Sequence, residues 1–254
     1  MDNHKIDINC DLGESFGHFK VGQDEAVFPF ITSCNIACGF HGGDPLHMEK
    51  TISRALKHNV RIGAHPSYPD LAGFGRRKMK LPAEELKAIL KYQIAALIGM
   101  TESLGGKVAY VKPHGALYNT AADYESEAKA IVEAIAEMSH GLALLGMAGS
   151  KMESAAMDRR VPFFAEAFAD RKYNEEGRLL SRSLPGSVIV NSKEAAKQVI
   201  SLVLDREVHT LNDVSVSVKA NSICVHGDNV HALAILKEID KALAEHNISK
   251  KAFC

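Results

Sequence analysis

The sequence predicts an α/β fold, an irregular β/α barrel of seven or eight strands occupying residues 1–254 as one domain. Three observations predict it. Short β-branched runs alternate with amphipathic helical stretches along the chain, as βα units of a parallel sheet require. The runs end repeatedly in polar clusters, and in a barrel of parallel strands those ends converge on one rim that carries the chemistry. A length of 254 residues suits one α/β barrel and buries a sizeable core.

Candidate strands cover residues 5–9, 31–36, 60–64, 108–112, 142–146, 161–165, 187–190 and 222–225. The first helix starts at Asp44, an N-cap followed by Pro45, with Met48, Ile52 and Leu56 as its apolar stripe. A long helix opens at Pro82, presents Leu86, Leu90, Ile94 and Leu97, and stops at Gly105-Gly106. A third runs from Asp123 to Met138. Ser192 caps a fourth, with Ala196, Val199, Ile200 and Val203 inward. The last spans Asn229 to Glu245. Val214, Val216 and Val218 alternate with serines and read as a half-exposed hairpin strand outside the barrel. An open doubly wound sheet is the second choice, but no Gly-x-Gly-x-x-Gly joins a strand to a helix.

Composition excludes several classes. There are 30 Lys and Arg against 31 Asp and Glu, so no basic patch for nucleic acid is expected. No apolar run is long enough for a membrane span, and Met1-Asp2-Asn3-His4-Lys5 lacks the apolar region of a signal peptide. The five cysteines, Cys10, Cys34, Cys38, Cys224 and Cys254, are expected as reduced thiols in the cytoplasm. P-loop, nucleophile-elbow and His-Glu-x-x-His motifs are all missing.

The clusters are richer. Asn9 and Asp11 share one side of a strand because the side-chain period is two, and Glu14 follows. Two acids beside an amide can bind a cation or act as base and acid, although Asp-Leu-Gly-Glu also makes a good loop. Next come Asn35 and the glycine-rich step His41-Gly42-Gly43-Asp44, where backbone N–H groups can meet an anion; for Asp44, helix capping is the equal alternative. His65 exits a strand, and the loop beyond it carries Arg76 and Arg77, able to clamp carboxylate or phosphate. That loop reads as a lid, with one of the two arginines simply solvated. Lys112-Pro113-His114 sets a cation beside a base, with Tyr118 downstream. Glu166, Asp170, Arg171 and Arg182 belong to a long polar loop, and His226-Gly227-Asp228 repeats the theme.

These clusters resemble the motifs of the LamB/YcsF family. The match runs through Ile8-Asn9-Cys10-Asp11-Leu12-Gly13-Glu14, Asn35 to Asp44, Ile62 to Pro66, Val111 to Tyr118, Glu166 to Arg171 and Cys224 to Asn229, in order. Gly43 stands where the family often has alanine. The resemblance covers residues 6 to about 245. It implies a fold similar to the seven-stranded β/α barrels of the glycoside hydrolase and deacetylase superfamily. It also implies the A component of a prokaryotic ATP-dependent 5-oxoprolinase, which cleaves 5-oxo-L-proline to L-glutamate with partner subunits B and C. ATP with Mg2+ is then expected, bound mainly on a partner or at an unfamiliar site here.

On this reading the catalytic set is Asp11, Glu14, His65, Lys112 and His114, with His114 or His65 as general base and Asp11 or Glu14 orienting it. Substrate-binding candidates are Asn9, Asn35, His41, Asp44, Arg76, Arg77, Tyr118, Glu166, Arg171, Arg182, His226 and Asp228. Two other functions fit the residues. One is a metal-dependent amidohydrolase or deacetylase with ligands from Asp11, His41, His65, His114 and His226. The other is a non-catalytic lactam-binding protein.

Overall fold

The computed structural model describes residues 4–138 and 140–254. Met1–Asn3, part of the segment read above for an export signal, lie outside the described residues. Seven parallel strands, β1 (Lys5–Leu12), β2 (Ser33–Ala37), β3 (Arg61–His65), β4 (Val108–Val111), β5 (Ala143–Met147), β6 (Phe163–Phe168) and β9 (Ser222–Val225), hydrogen-bond in that order. β9 also pairs with β1, with Asp7 opposite Ser222 and Asn9 opposite Cys224, and this closes the barrel. A short strand, β10 (Ser249–Lys250), flanks β1 outside the ring. Between β6 and β9 lies an antiparallel hairpin, β7 (Glu207–His209) with β8 (Ser215–Ser217).

Helices α2 (Pro45–Lys57), α3 (Ala83–Ser103), α4 (Gly115–Asp123), α5 (Glu125–Glu137), α6 (Lys151–Arg159), α7 (Ser192–Leu204) and α8 (Ala232–Glu245) pack outside, with a short α1 (Asp24–Val27). No helix among the described residues is long and apolar enough to cross a membrane.

The strands are patterned inside out. In β1, Ile6, Ile8, Cys10 and Leu12 belong to the apolar cluster, while the alternate residues Asp7, Asn9 and Asp11 bond across to other strands. Both faces are therefore buried, and the interior is wired by polar groups instead of filled by aliphatic ones. At its lower level Asp7 accepts hydrogen bonds from Thr32 and Ser33 at 2.6 Å each and from Ser222. Phe253 packs edge-on against Tyr110 and at a tilt against Phe164, with ring centroids 4.9 and 4.8 Å away. Gly63 makes room for the buried Tyr110, because a Cβ there would sit 2.2 Å from its ring. Tyr110 then donates to Asn35 Oδ1 at 2.7 Å and fixes that amide.

Several elements differ from the sequence reading. Residues 187–190 form no strand; Val188 makes a single bridge to Arg171, and Ile189 packs inward within a loop. The barrel accordingly has seven strands. The stretch 115–138 holds two helices, broken at Tyr124 where the backbone is extended (φ −113°, ψ 126°). α6 is a helix beyond those the apolar periodicity indicates; its buried face is only Met152, Ala155 and Ala156. Asn191, not Ser192, caps α7 by accepting from Lys193 and Glu194 N–H, and α8 begins at Ala232, after a turn at 226–231.

Two tests follow from this packing. Gly63→Ala should destabilise the protein by about 1–3 kcal/mol through overpacking against Tyr110, measured by urea unfolding. Burial raises the Asp7 pKa to about 6, so the native state holds a proton that the unfolded chain releases near pH 4. Stability should fall between pH 4 and 6 and level off above, by up to about 3 kcal/mol, and Asp7→Asn should flatten that slope.

Candidate active site

The strand ends deliver their polar groups in two levels. In the lower, Asn9 donates to Glu166 Oε1 and Ser222 Oγ at 2.8 Å, and Asn35 donates to Asn9 Oδ1 and Asp11 Oδ1 at 2.7 Å. Lys112 rises through the centre. Its Nζ lies 2.9 Å from both Asp11 Oδ1 and Glu166 Oε1, and 3.1 Å from Cys224 Sγ. Burial opposes its charge, yet Asp11, Cys224 and Glu166 hold its pKa well above the usual lysine value. Burial also opposes ionisation of Asp11, but His65 and Lys112 keep its pKa well below the usual carboxylate range. Tyr118 O–H closes the cage on Glu166 Oε2 at 2.8 Å.

The upper level is a packed group of imidazoles. His41 and His114 stack with centroids 3.7 Å apart and planes 3° from parallel, and His65 stands perpendicular to both. Each anchor can be assigned from hydrogen bonding, since a carbonyl only accepts. His65 Nδ1–H donates to the Lys112 carbonyl at 2.7 Å, and His114 Nε2–H donates to the Phe74 carbonyl at 2.9 Å. Gly75 allows that contact; a Cβ there would lie 2.7 Å from His114 Cδ2. The inner nitrogens, His114 Nδ1 and His65 Nε2, face each other at 3.0 Å. Glu14 Oε1 lies 3.2 Å from His41 Nε2 and 3.5 Å from His114 Nδ1. Burial, then Asp11 and Asp228, push the Glu14 pKa well up. Burial pushes both His41 and His114 well below the ordinary histidine range.

Across the mouth stands a fourth imidazole. His226 stacks on Phe168, and its Nδ1 lies 2.8 Å from Asp170 Oδ1. Burial opposes ionisation of Asp170, but His226, through charge and hydrogen bonding, and Asn229 keep its pKa below the usual range. The carboxylate therefore accepts from Nδ1–H.

Above these groups lies a cavity of about 420 Å³, and Asp11, Glu14, His65, Lys112, His114, Tyr118 and His226 contribute to its wall. Its outer wall is cationic, with Arg76, Arg171, Arg178 and Arg182 against Asp123 and Asp228. Arg76 pairs with Asp228, and Arg182 Nη1 stands 3.7 Å from the same carboxylate. Arg171 donates to the Leu180 carbonyl, while its buried Nε has no hydrogen-bond partner. Burial, then Arg182, lower its pKa to about 10.

Six candidates lie off this wall. Asn9, Asn35 and Glu166 form the buried layer beneath, and His41 sits behind Glu14 and His114. Asp44 is the N-cap of α2, accepting from His47 and Gly17 N–H. Arg77 turns outward onto Asp70 with its side chain 68% exposed. Asp70 also accepts Gly73 N–H at 2.9 Å, and Ala116 N–H bonds to the Gly75 carbonyl, so the loop is tied down. The sequence reading put Asp170 in a long polar loop without a role and gave Tyr110, Ser222 and Cys224 none. Alternation along Ser222-Ile223-Cys224-Val225-His226 could have flagged the last two as sharing the inner face with His226.

Because Lys112 compensates two buried carboxylates, Lys112→Met should cost about 3–5 kcal/mol, measured by chemical unfolding. Loss below about 1 kcal/mol would show that the charges are solvated instead.

The LamB/YcsF family model matches residues 6–254. A protein from Alkaliphilus metalliredigens (strain QYMF), named as the A subunit of 5-oxoprolinase, is 48% identical over 96% of each chain. A crystal structure of a lactam utilization protein from Thermus thermophilus superposes with a TM-score of 0.92 at 39% identity, covering 98% of this chain and 99% of that one. A family 4 carbohydrate esterase from Streptomyces lividans shares the fold alone, with a TM-score of 0.53 and 10% identity over 98% of this chain and 93% of that one. With a full-length family match, close relatives and the expected barrel in agreement, the chain belongs to the LamB/YcsF family.

Proposed function

We propose that this chain is the ring-opening component of an ATP-dependent 5-oxoprolinase, converting 5-oxo-L-proline to L-glutamate together with subunits B and C. The observation that carries the reading is the cavity itself, a cationic wall facing an oriented imidazole. Relatives named for 5-oxoprolinase and for lactam utilization support the substrate class.

The chemistry accounts for both halves of the cavity. An unstrained lactam resists hydrolysis near neutral pH, so its oxygen is first phosphorylated at the expense of ATP. One water then adds to the activated carbon, the ring C–N bond breaks as nitrogen takes a proton, and an acyl phosphate results. A second water releases phosphate and leaves glutamate. The guanidinium groups of Arg171, Arg178 and Arg182 hold the carboxylate and phosphoryl groups. The cavity's volume of about 420 Å³ leaves room for both. With no P-loop in this chain, ATP and its Mg2+ bind mainly on a partner subunit or at an unfamiliar site here.

The base assignment shifts within the histidine set. Both nitrogens of His114 and both of His65 face other protein groups. His226 lines the cavity with Nδ1 held by Asp170, the arrangement of a base and its orienting carboxylate. His226 Nε2 therefore takes the proton of the attacking water.

In a reconstituted three-component assay, ATP-dependent glutamate release should require this chain. His226→Ala should lower kcat by about 10²–10⁴-fold, and Asp170→Asn should lower kcat with KM little changed. Full activity without this chain, or in His226→Ala, would contradict the reading.

A further inference from the structure

The pair His65 and His114 presents a problem of its own. Each ring spends its outer N–H on a backbone carbonyl, at 2.7 and 2.9 Å. With both rings neutral, the inner nitrogens carry lone pairs and face each other at 3.0 Å. Two such lone pairs repel unless a cation lies with them. Asp11 Oδ2, 3.5 Å from His65 Nε2, adds negative charge there. Glu14 Oε1 completes a triangle at 3.5 Å from His114 Nδ1, and all three side chains line the cavity.

We propose that His65 Nε2, His114 Nδ1 and Glu14 Oε1 bind one divalent transition-metal ion in the cavity wall. Two imidazoles and a carboxylate on one face form a known ligand set for such ions, and it leaves positions open. Metal–nitrogen bonds of about 2.1 Å set at right angles place donor atoms about 3.0 Å apart, close to the separation of the two imidazole nitrogens. The surroundings are those of ligating groups: ligating histidines donate their other N–H to carbonyls or carboxylates. Both histidines do so here, and His41 Nε2 stands 3.2 Å from the Glu14 oxygen. His41 is thus a positioning residue for Glu14. Zn2+, Co2+ and Mn2+ are the candidate ions; Mg2+ prefers oxygen ligands and retains its water.

The site rests on this geometry and not on the lactam reading. The full chain, stripped with chelator and dialysed, should take up one Co2+ per chain, with a visible absorption band that Zn2+ displaces. Zn2+ should also raise the melting temperature of the stripped protein. His65→Ala and His114→Ala should abolish the band. His41→Gln should weaken Zn2+ binding about 10–100-fold. His226→Ala, which disrupts the neighbouring Asp11, Cys224 and His226 group, should leave the band intact. No Co2+ or Zn2+ uptake at micromolar concentration and no change in melting temperature would overturn the proposal, leaving a shared proton between the imidazoles. A band that survives both His65→Ala and His114→Ala, or disappears in His226→Ala, would overturn it as well. Glutamate release by stripped protein supplied only with Mg2+ would leave the proposed function standing while the metal site is judged by its own binding data.

Discussion

The ammonium of Lys112, buried between Asp11 and Glu166, is the interaction on which the site depends. A barrel interior normally fills with branched aliphatic side chains. Here the strands turn Asp7, Asn9, Asn35, Tyr110, Lys112 and Glu166 inward and join them by hydrogen bonds. Such a network stabilises only when every member is satisfied. The lysine meets that condition by supplying charge and donors at the point where β1, β6 and β9 approach. It also fixes Asp11, whose remaining oxygen faces His65. The floor of the cavity is therefore rigid.

That floor divides the four imidazoles by role. His65 and His114 are held at both ring nitrogens, and His41 is buried with Nε2 beside Glu14. His226 is held at one nitrogen only. A group that accepts and returns protons needs an available lone pair, whereas a group that holds a cation needs a fixed one. Both kinds line one cavity beneath a rim of guanidinium groups. The asymmetry of the cavity, locked on one side and free on the other, suits a substrate that must be held by its anionic groups while water is activated beside it.

Much of this was legible in the sequence because parallel barrels impose a simple rule: polar clusters at strand exits meet. His65, Lys112, His114 and His226 come together on that rule. The αβ alternation was equally plain, and the cap at Asp44 was one of the two readings that residue allowed. What was hidden depends on contacts between distant elements. Asn9, Asn35 and Glu166 sit within strands, so their depth below the cavity follows from barrel closure, which no local pattern specifies. Arg76 and Arg77 are adjacent and chemically alike, yet Asp70 claims one and the cavity the other. The run 187–190 has strand composition, but β6 pairs directly with β9 and leaves it no edge to join.

Direct observation of the Lys112 ammonium tests the central claim. NMR of lysine side-chain 15Nζ resonances, followed through the pH range around about 10.4 where exposed lysines lose their proton, reports its charge. The account requires Lys112 to remain protonated, with a resonance distinct from the solvated lysines, after those have titrated. A neutral amine at Lys112 below that range would contradict it.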